Sequence, residues 1–239
     1  MIKHLLFDLD GTLLPLTQDD FVNYYFGFLC KRFEKFGFEP KRLVKSVWKG
    51  TAAMVLNDGS KMNEQAFWDC FCAEYGIKRE TYDAEFLDFY TNEFNKAIAA
   101  TRPTPLARQV VDTAHAKGYD LYLATNPIFP RVATLNCIHW AGLRPEDFVD
   151  ITTYEVCRYS KPNPEYFREI CQKHALDPCE CLMVGNDAEE DLASAALGMT
   201  TYIVTDCLEN KKNLPLTADH TGTMSELAEF VAAMPTIEK

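Results

Sequence analysis

In the stretch HLLFDLDGTLL, two aspartates, Asp8 and Asp10, interrupt a run of core-forming residues: Leu5, Leu6, Phe7, Leu9, Leu13 and Leu14. A buried strand rejects carboxylates because an unpaired buried charge is costly, so these two must be held by groups elsewhere in the chain. A turn accounts for an Asp-Gly pair but leaves Asp8 unexplained. Further along, Thr125 and Asn126 close the run YDLYLATN, Lys161 stands in SKPNPEYF, and Asn186, Asp187 and Asp191 follow CLMVG. Carboxylates gathered in one crevice repel one another and raise each other's pKa. A hard divalent cation relieves that repulsion, and magnesium favours carboxylate, carbonyl and water oxygens and bridges to phosphate. With a hydroxyl and an ammonium added, the inventory suits phosphoryl transfer, in which catalysis is mostly positioning and charge neutralisation.

Such residues meet only if the fold carries them to one place. Residues 2–7 read as a short strand buried on both faces. Thr17, with Asp20 three residues on, reads as a helix start resembling a capping box. From there to about residue 100 the pattern is helical: Phe21, Tyr25, Phe28, Leu29, Phe33 and Phe36 keep helical spacing, as do Phe86, Phe89, Tyr90 and Phe94. Gly37, the NDGS turn at 57–60 and Gly76 divide this block into about four helices. After TRPTP the rhythm changes to alternating elements. A helix through Val110, Val111 and Ala114 leads to the strand YDLYLAT, and another helix leads to FVDITTYE. The helix NPEYFREICQKHAL precedes the strand CLMVG, then come a helix AEEDLASAALG, a strand TTYIVT and a final helix TMSELAEFVAAM. Alternation of this kind predicts an α/β fold with a parallel sheet covered by helices on both faces. The first strand must join that sheet, so residues 1–16 and 101–239 form one core domain and 17–100 an inserted helical domain. In such sheets ligands bind at the carboxyl ends of the strands, where Asp8, Asp10, Thr125, Asn126, Lys161, Asn186 and Asp187 all fall.

The motifs DLDGT, LATN, SKPNPEYF and VGNDAEED resemble, in order, the four motifs of the haloacid dehalogenase-like (HAD) hydrolase superfamily, in the phosphatase branch with a helical cap inserted after the first motif. The resemblance spans essentially the whole chain and implies a Rossmann-like core. It implies that Asp8 is the nucleophile that forms an aspartyl-phosphate, and that Asp10 protonates the leaving oxygen and later activates water. Thr125 and Asn126 would bind the transferred phosphoryl group, and Lys161 would neutralise its charge and restrain Asp8. Mg2+ would be held by Asp8, the carbonyl of Asp10, and Asp187. The fourth motif departs from the commonest form, because Asn186 stands where an aspartate usually follows the glycine. Asn186 and Asp191 are therefore alternative contributors to the metal site. Gly11 would let the chain turn behind the carboxylates, with Thr12 supporting that turn. The implied activity is hydrolysis of a small phosphorylated metabolite. A phosphotransferase or sugar-phosphate mutase on the same site, or a catalytically silent binding module, are the competing functions; Thr12 after Asp-Gly follows the phosphatase form, and Asp10 argues against a dehalogenase.

Composition sets the outer limits. With 24 basic against 35 acidic residues and a net charge of -11, the chain is a poor candidate for nucleic-acid or anionic-membrane binding. No run approaches the roughly 18 apolar residues of a membrane span. Lys3 runs into an apolar stretch too short for a secretory leader, and nine cysteines, an odd count, suit a reducing cytoplasm. The CxC pairs Cys70/Cys72 and Cys179/Cys181 lack the usual zinc spacing and read as small buried hydrophobes. Lys41, Lys45 and Lys49 recur every fourth residue. They read either as a solvated helix face or as a basic stripe turned to the crevice to draw in an anion.

Overall fold

The computed structural model describes residues 1–237. Strand β1 (His4–Phe7) lies at the centre of a parallel sheet, flanked by β2 (Asp120–Leu123) and β4 (Cys181–Gly185). The sheet continues through β3 (Asp150–Ile151) on one side and β5 (Thr200–Val204) and β6 (His220–Gly222) on the other, in the order β3-β2-β1-β4-β5-β6. Because side chains alternate along a strand, Leu5 and Phe7 enter one apolar cluster with Leu121, Leu123 and Val184, while Leu6 enters a second with Tyr122, Cys181 and Met183. Both faces are thus buried, which is why the strands read as unbroken apolar runs. Helices α5 (Pro105–Ala116), α6 (Arg131–Trp140), α7 (Pro164–His174) and α8 (Met224–Ala233) complete the α/β layer.

Between β1 and α5 come α1 (Gln18–Phe33), α2 (Pro40–Val55), α3 (Asn63–Tyr75) and α4 (Arg79–Thr91). Gly37 and Gly76 sit at helix ends with φ of 80° and 71°, the left-handed region that stops a helix and that glycine adopts cheaply. The helical layer docks on α6 through rings: Phe94 stacks on Trp140 at 5.2 Å. Where the chain leaves and re-enters the sheet, Leu16 bridges Thr101 and the Arg102 amide donates to the Pro15 carbonyl at 2.7 Å. A second fastening lies at the start of α3. The Asn63 and Glu64 amides donate to the carbonyls of Cys157 and Tyr154 at 2.9 and 2.8 Å, and the fully buried Asn63 side chain donates to Ser160 Oγ at 2.9 Å and to the Tyr159 carbonyl at 3.1 Å.

Four details differ from the sequence reading. The Thr17 hydroxyl bonds the Asp20 carboxylate at 2.6 Å and caps no backbone amide. AEEDLASAALG forms no α-helix: only Leu192–Leu197 coil, as a 3-10 turn, and ahead of it the side chains of Asp187 and Asp191 accept the amides of Asn186, Asp187, Glu189 and Glu190. The polar edge strand β6 carried no apolar signal. Of the four CxC cysteines only Cys181, the first residue of β4, is buried; Cys179, in the turn before it, is exposed, and Cys70 and Cys72 on α3 are half-buried.

Asp147, after α6, is 5% exposed. It pairs with Arg108 at 2.9 Å and Arg144 at 3.2 Å and accepts the Arg144 amide at 2.7 Å. Burial alone would raise its pKa, but these partners outweigh burial and hold it below the usual value. A depressed carboxylate contributes stability above its unfolded pKa of about 3.9 that is lost as pH falls through the folded value. Asp147→Asn is therefore expected to destabilise the protein by about 1–2 kcal/mol at neutral pH, with the gap from wild type in urea midpoint closing toward about pH 3.

Candidate active site

The order of the sheet reverses on either side of β1, and the crevice at that switch point receives the loops after β1, β2 and β4. After β1 the chain turns at once, the Gly11 amide donating to the Leu14 carbonyl at 2.8 Å and the Leu14 amide to the Leu9 carbonyl at 2.8 Å. Gly11 has φ of 84°, and a Cβ there would lie 2.3 Å from Asn186 Nδ2, so both backbone and space demand glycine. The turn places Asp8 and Asp10 at the mouth of a cavity of about 160 Å3, with Thr125, Asn126, Asn186, Asp187, Glu190 and Asp191 around the same space.

Lys161 answers the question posed by the first carboxylate. It is fully buried, and its Nζ donates to Asp8 Oδ1 at 3.0 Å and Asp191 Oδ1 at 2.6 Å. Burial would lower the lysine pKa, but the carboxylates of Asp191 and Asp8 raise it well above its ordinary value, so the ammonium is permanent. The other oxygen of Asp191 accepts the amides of Asn186 and Asp187, both at 2.9 Å. One carboxylate thus fixes both the lysine and the loop after β4. Gly185 makes this approach possible, since a Cβ there would lie 2.0 Å from Asp191 Oδ2.

Asp8 itself is pushed up to about 6, chiefly by burial, with Lys161 opposing and Asp191 adding to the rise. Its second oxygen lies 3.2 Å from the Thr12 hydroxyl. Asp10 rises further, to about 7, from burial and the neighbouring Asp8 charge. Its Oδ1 is buried with no hydrogen-bond partner. A carboxyl in that state exchanges a proton near neutrality and has an atom free to do so.

Thr125 is anchored through its carbonyl, which accepts from Thr152 at 2.7 Å and Tyr166 at 2.8 Å, so its own hydroxyl is left on the cavity wall. Asn126 Nδ2 donates to Glu190 at 2.9 Å. Asn186 spans two loops, its oxygen accepting from Thr12 at 2.9 Å and its amide donating to the Cys207 carbonyl at 2.7 Å. Asp187 uses Oδ1 to accept the amides of Glu189 and Glu190 at 2.7 and 2.8 Å.

Glu190 is the residue that the sequence reading did not single out for chemistry. Burial lifts its carboxyl to about 8, and it faces the same cavity. Its signal was the acidic run directly behind a strand end. Lys41, Lys45 and Lys49, by contrast, are exposed and border a separate groove on the outer side of α2. The buried face of α2 is Leu43, Val47, Gly50 and Met54. The stripe is therefore a solvated face, and it does not turn to the crevice.

Among the described residues no three His, Cys, Asp or Glu side chains converge to hold a metal as a group. A set of two carboxylates and one carbonyl needs no such convergence, since magnesium keeps several waters and commonly takes only one or two protein carboxylates. The donors on offer around the cavity are all oxygens and two of the loops end in uncommitted carboxylate atoms, a composition that fits a hard divalent cation.

A model of the haloacid dehalogenase-like hydrolases matches residues 2–198. The chain belongs to this family. It is 25% identical over 236 residues to the phosphoglycolate phosphatase of Vibrio parahaemolyticus, covering 97% of this chain and 96% of that one. The phosphoglycolate phosphatase of Vibrio vulnificus is 26% identical over 212 residues, 85% of this chain and 84% of its own. Among solved structures, a HAD phosphatase from Thermococcus onnurineus superposes with a TM-score of 0.63 at 20% identity, covering 99% and 100% of the two chains. The L-2-haloacid dehalogenase of Xanthobacter autotrophicus does so at 0.58 and 16%, covering 98% and 100%. The HAD-like hydrolase fold is thus shared by enzymes of different chemistry, and the residues of the site must separate them. No helix among the described residues is long and apolar enough to cross a membrane.

Proposed function

We propose that this HAD-like hydrolase is a magnesium-dependent phosphatase that hydrolyses a small phosphorylated metabolite through an aspartyl-phosphate on Asp8. The observation that carries the reading is Asp10, a second carboxyl beside the nucleophile with a buried, unpartnered oxygen and a pKa near neutrality. Displacement of a halide needs no proton donor, whereas expulsion of an alkoxide does. The names of the Vibrio relatives support the same choice.

In the proposed reaction, Asp8 attacks phosphorus in line. The new bond joins its carboxylate oxygen to phosphorus as the ester oxygen departs and takes the Asp10 proton. Asp10, now a carboxylate, accepts a proton from water, which attacks the acyl-phosphate; phosphate leaves and Asp8 is regenerated. Thr125 and Asn126 hold the transferred group, and Lys161 keeps Asp8 oriented and ionised. Magnesium, held by Asp8, the Asp10 carbonyl and Asp187, would neutralise charge on the phosphoryl oxygens. Both Asp191 oxygens and both ends of the Asn186 amide are engaged within the protein, which supports a positioning role for these two in this reading. Residues 17–100 act as a cap over a core of 1–16 and 101–239 and keep bulk water from the acyl-phosphate.

The purified protein should release phosphate and nitrophenol from p-nitrophenyl phosphate in equal amounts with magnesium, stop on chelation with EDTA, and recover when magnesium is restored. Failure of magnesium to support turnover of any phosphate ester would overturn the reading. Nitrophenol without free phosphate would favour transfer to another acceptor.

A further inference from the structure

The walls of the cavity differ sharply by origin. From the strand ends come Asp8, Asp10, Asp187, Glu190 and Asp191, with Glu209 from a following loop. Among the described residues no lysine, arginine or histidine lines it. Lys161 lies behind Asp8 and is committed to two carboxylates. Gln18, on the lining, has its oxygen taken by Lys211 at 2.5 Å, and Lys211 also stands 3.7 Å from Glu209.

The opposite side is aromatic, with rings from α1 and α2 and Phe129 from the loop after β2. Trp48 lies 5.6 Å from Phe26, Phe26 lies 4.9 Å from Tyr25, and Tyr25 lies 5.5 Å from Phe129, ring to ring, so four rings form a continuous wall. Two polar groups on this side are already engaged: the Tyr25 hydroxyl pairs with that of Tyr90 at 2.8 Å, and Thr51 donates to the Val47 carbonyl at 3.1 Å. A substrate bearing a carboxylate or a second phosphate would set its far end against this aromatic wall, which among the described residues carries no cation, Lys211 being held at Gln18 and Glu209. A polyol would bury several hydroxyls against a wall of rings that offers few hydrogen-bond partners. An aromatic group gains both apolar burial and favourable ring geometry.

We infer that the phosphate esters this protein takes are those of uncharged, aromatic-bearing alcohols, and that it discriminates against esters with a second anionic group such as 2-phosphoglycolate. This rests on the phosphatase reading of the same site and names its substrate class. Trp48, 47% exposed and shared with the outer groove of α2, is the residue through which that selectivity is most easily changed.

The comparison uses alkyl esters, so that leaving-group reactivity does not decide it: 2-phenylethyl phosphate, ethyl phosphate, 2-phosphoglycolate and glucose 6-phosphate, each with magnesium. The expected kcat/KM for 2-phenylethyl phosphate exceeds that for the other three by ~30-fold or more. Trp48→Arg should shift the ratio toward 2-phosphoglycolate by about tenfold. Higher efficiency on 2-phosphoglycolate or glucose 6-phosphate overturns the inference. Calorimetric binding of the same four esters to the Asp8→Asn protein gives a ranking that needs no turnover. If the wild-type protein releases phosphate neither from these four nor from p-nitrophenyl phosphate, the phosphatase reading fails by itself, and preferential binding of the phenylethyl ester supports, or of 2-phosphoglycolate overturns, the assignment of the pocket.

Discussion

Asp8→Asn protein, assayed with p-nitrophenyl phosphate and saturating magnesium, is expected to lose at least roughly four orders of magnitude in kcat, because removal of a nucleophile leaves only binding and electrostatic contributions. The amide has the shape of the carboxylate but cannot form an acyl-phosphate. Its oxygen can still accept from Lys161, and the lysine keeps Asp191 at 2.6 Å, so the fold should survive with little change in urea midpoint. That combination, full structure and lost turnover, separates a nucleophile from a residue that merely supports the site. Residual activity within tenfold of wild type would place the attacking group elsewhere.

Lys161→Met should act on both properties at once. The substitution leaves Asp8 and Asp191, 7% and 2% exposed, facing a thioether, and loss of one partner from a buried ionic group costs about 3–5 kcal/mol. Activity falls with it, since Asp8 loses the charge that keeps it ionised. Adding Asp191→Asn to Lys161→Met removes one of the stranded charges while retaining an oxygen for the amides of Asn186 and Asp187. The double variant is expected to recover about half of the lost stability, a coupling that a double-mutant cycle measures directly. Purely additive losses would mean that the lysine and Asp191 do not act as a unit.

The sequence announced the architecture through contrasts of rhythm. The apolar runs of β1, β2, β4 and β5 and the intervening helices were visible as periods, and the polar residues at their ends as interruptions. What it did not disclose were relations between side chains distant in the chain. Asp191 stood as an alternative contributor to the metal site; only folding shows it reaching back past Gly185 to Lys161. Glu190, beside it in the acidic run, was not singled out and faces the cavity. The 3-10 turn at Leu192–Leu197 was hidden as well, since a run rich in alanine and leucine has high helix propensity and nothing in it marks the tighter coil. The lysines of α2 were correctly seen as a stripe, but the direction of a stripe depends on which neighbouring helix buries the opposite face.

The fastening at Asn63 grips Tyr159 and Ser160, the two residues directly before Lys161. Any displacement of α3 is therefore passed along the backbone to the ammonium that bonds Asp8, so strain arising in the helical layer is felt at the carboxylate on the far side of the crevice.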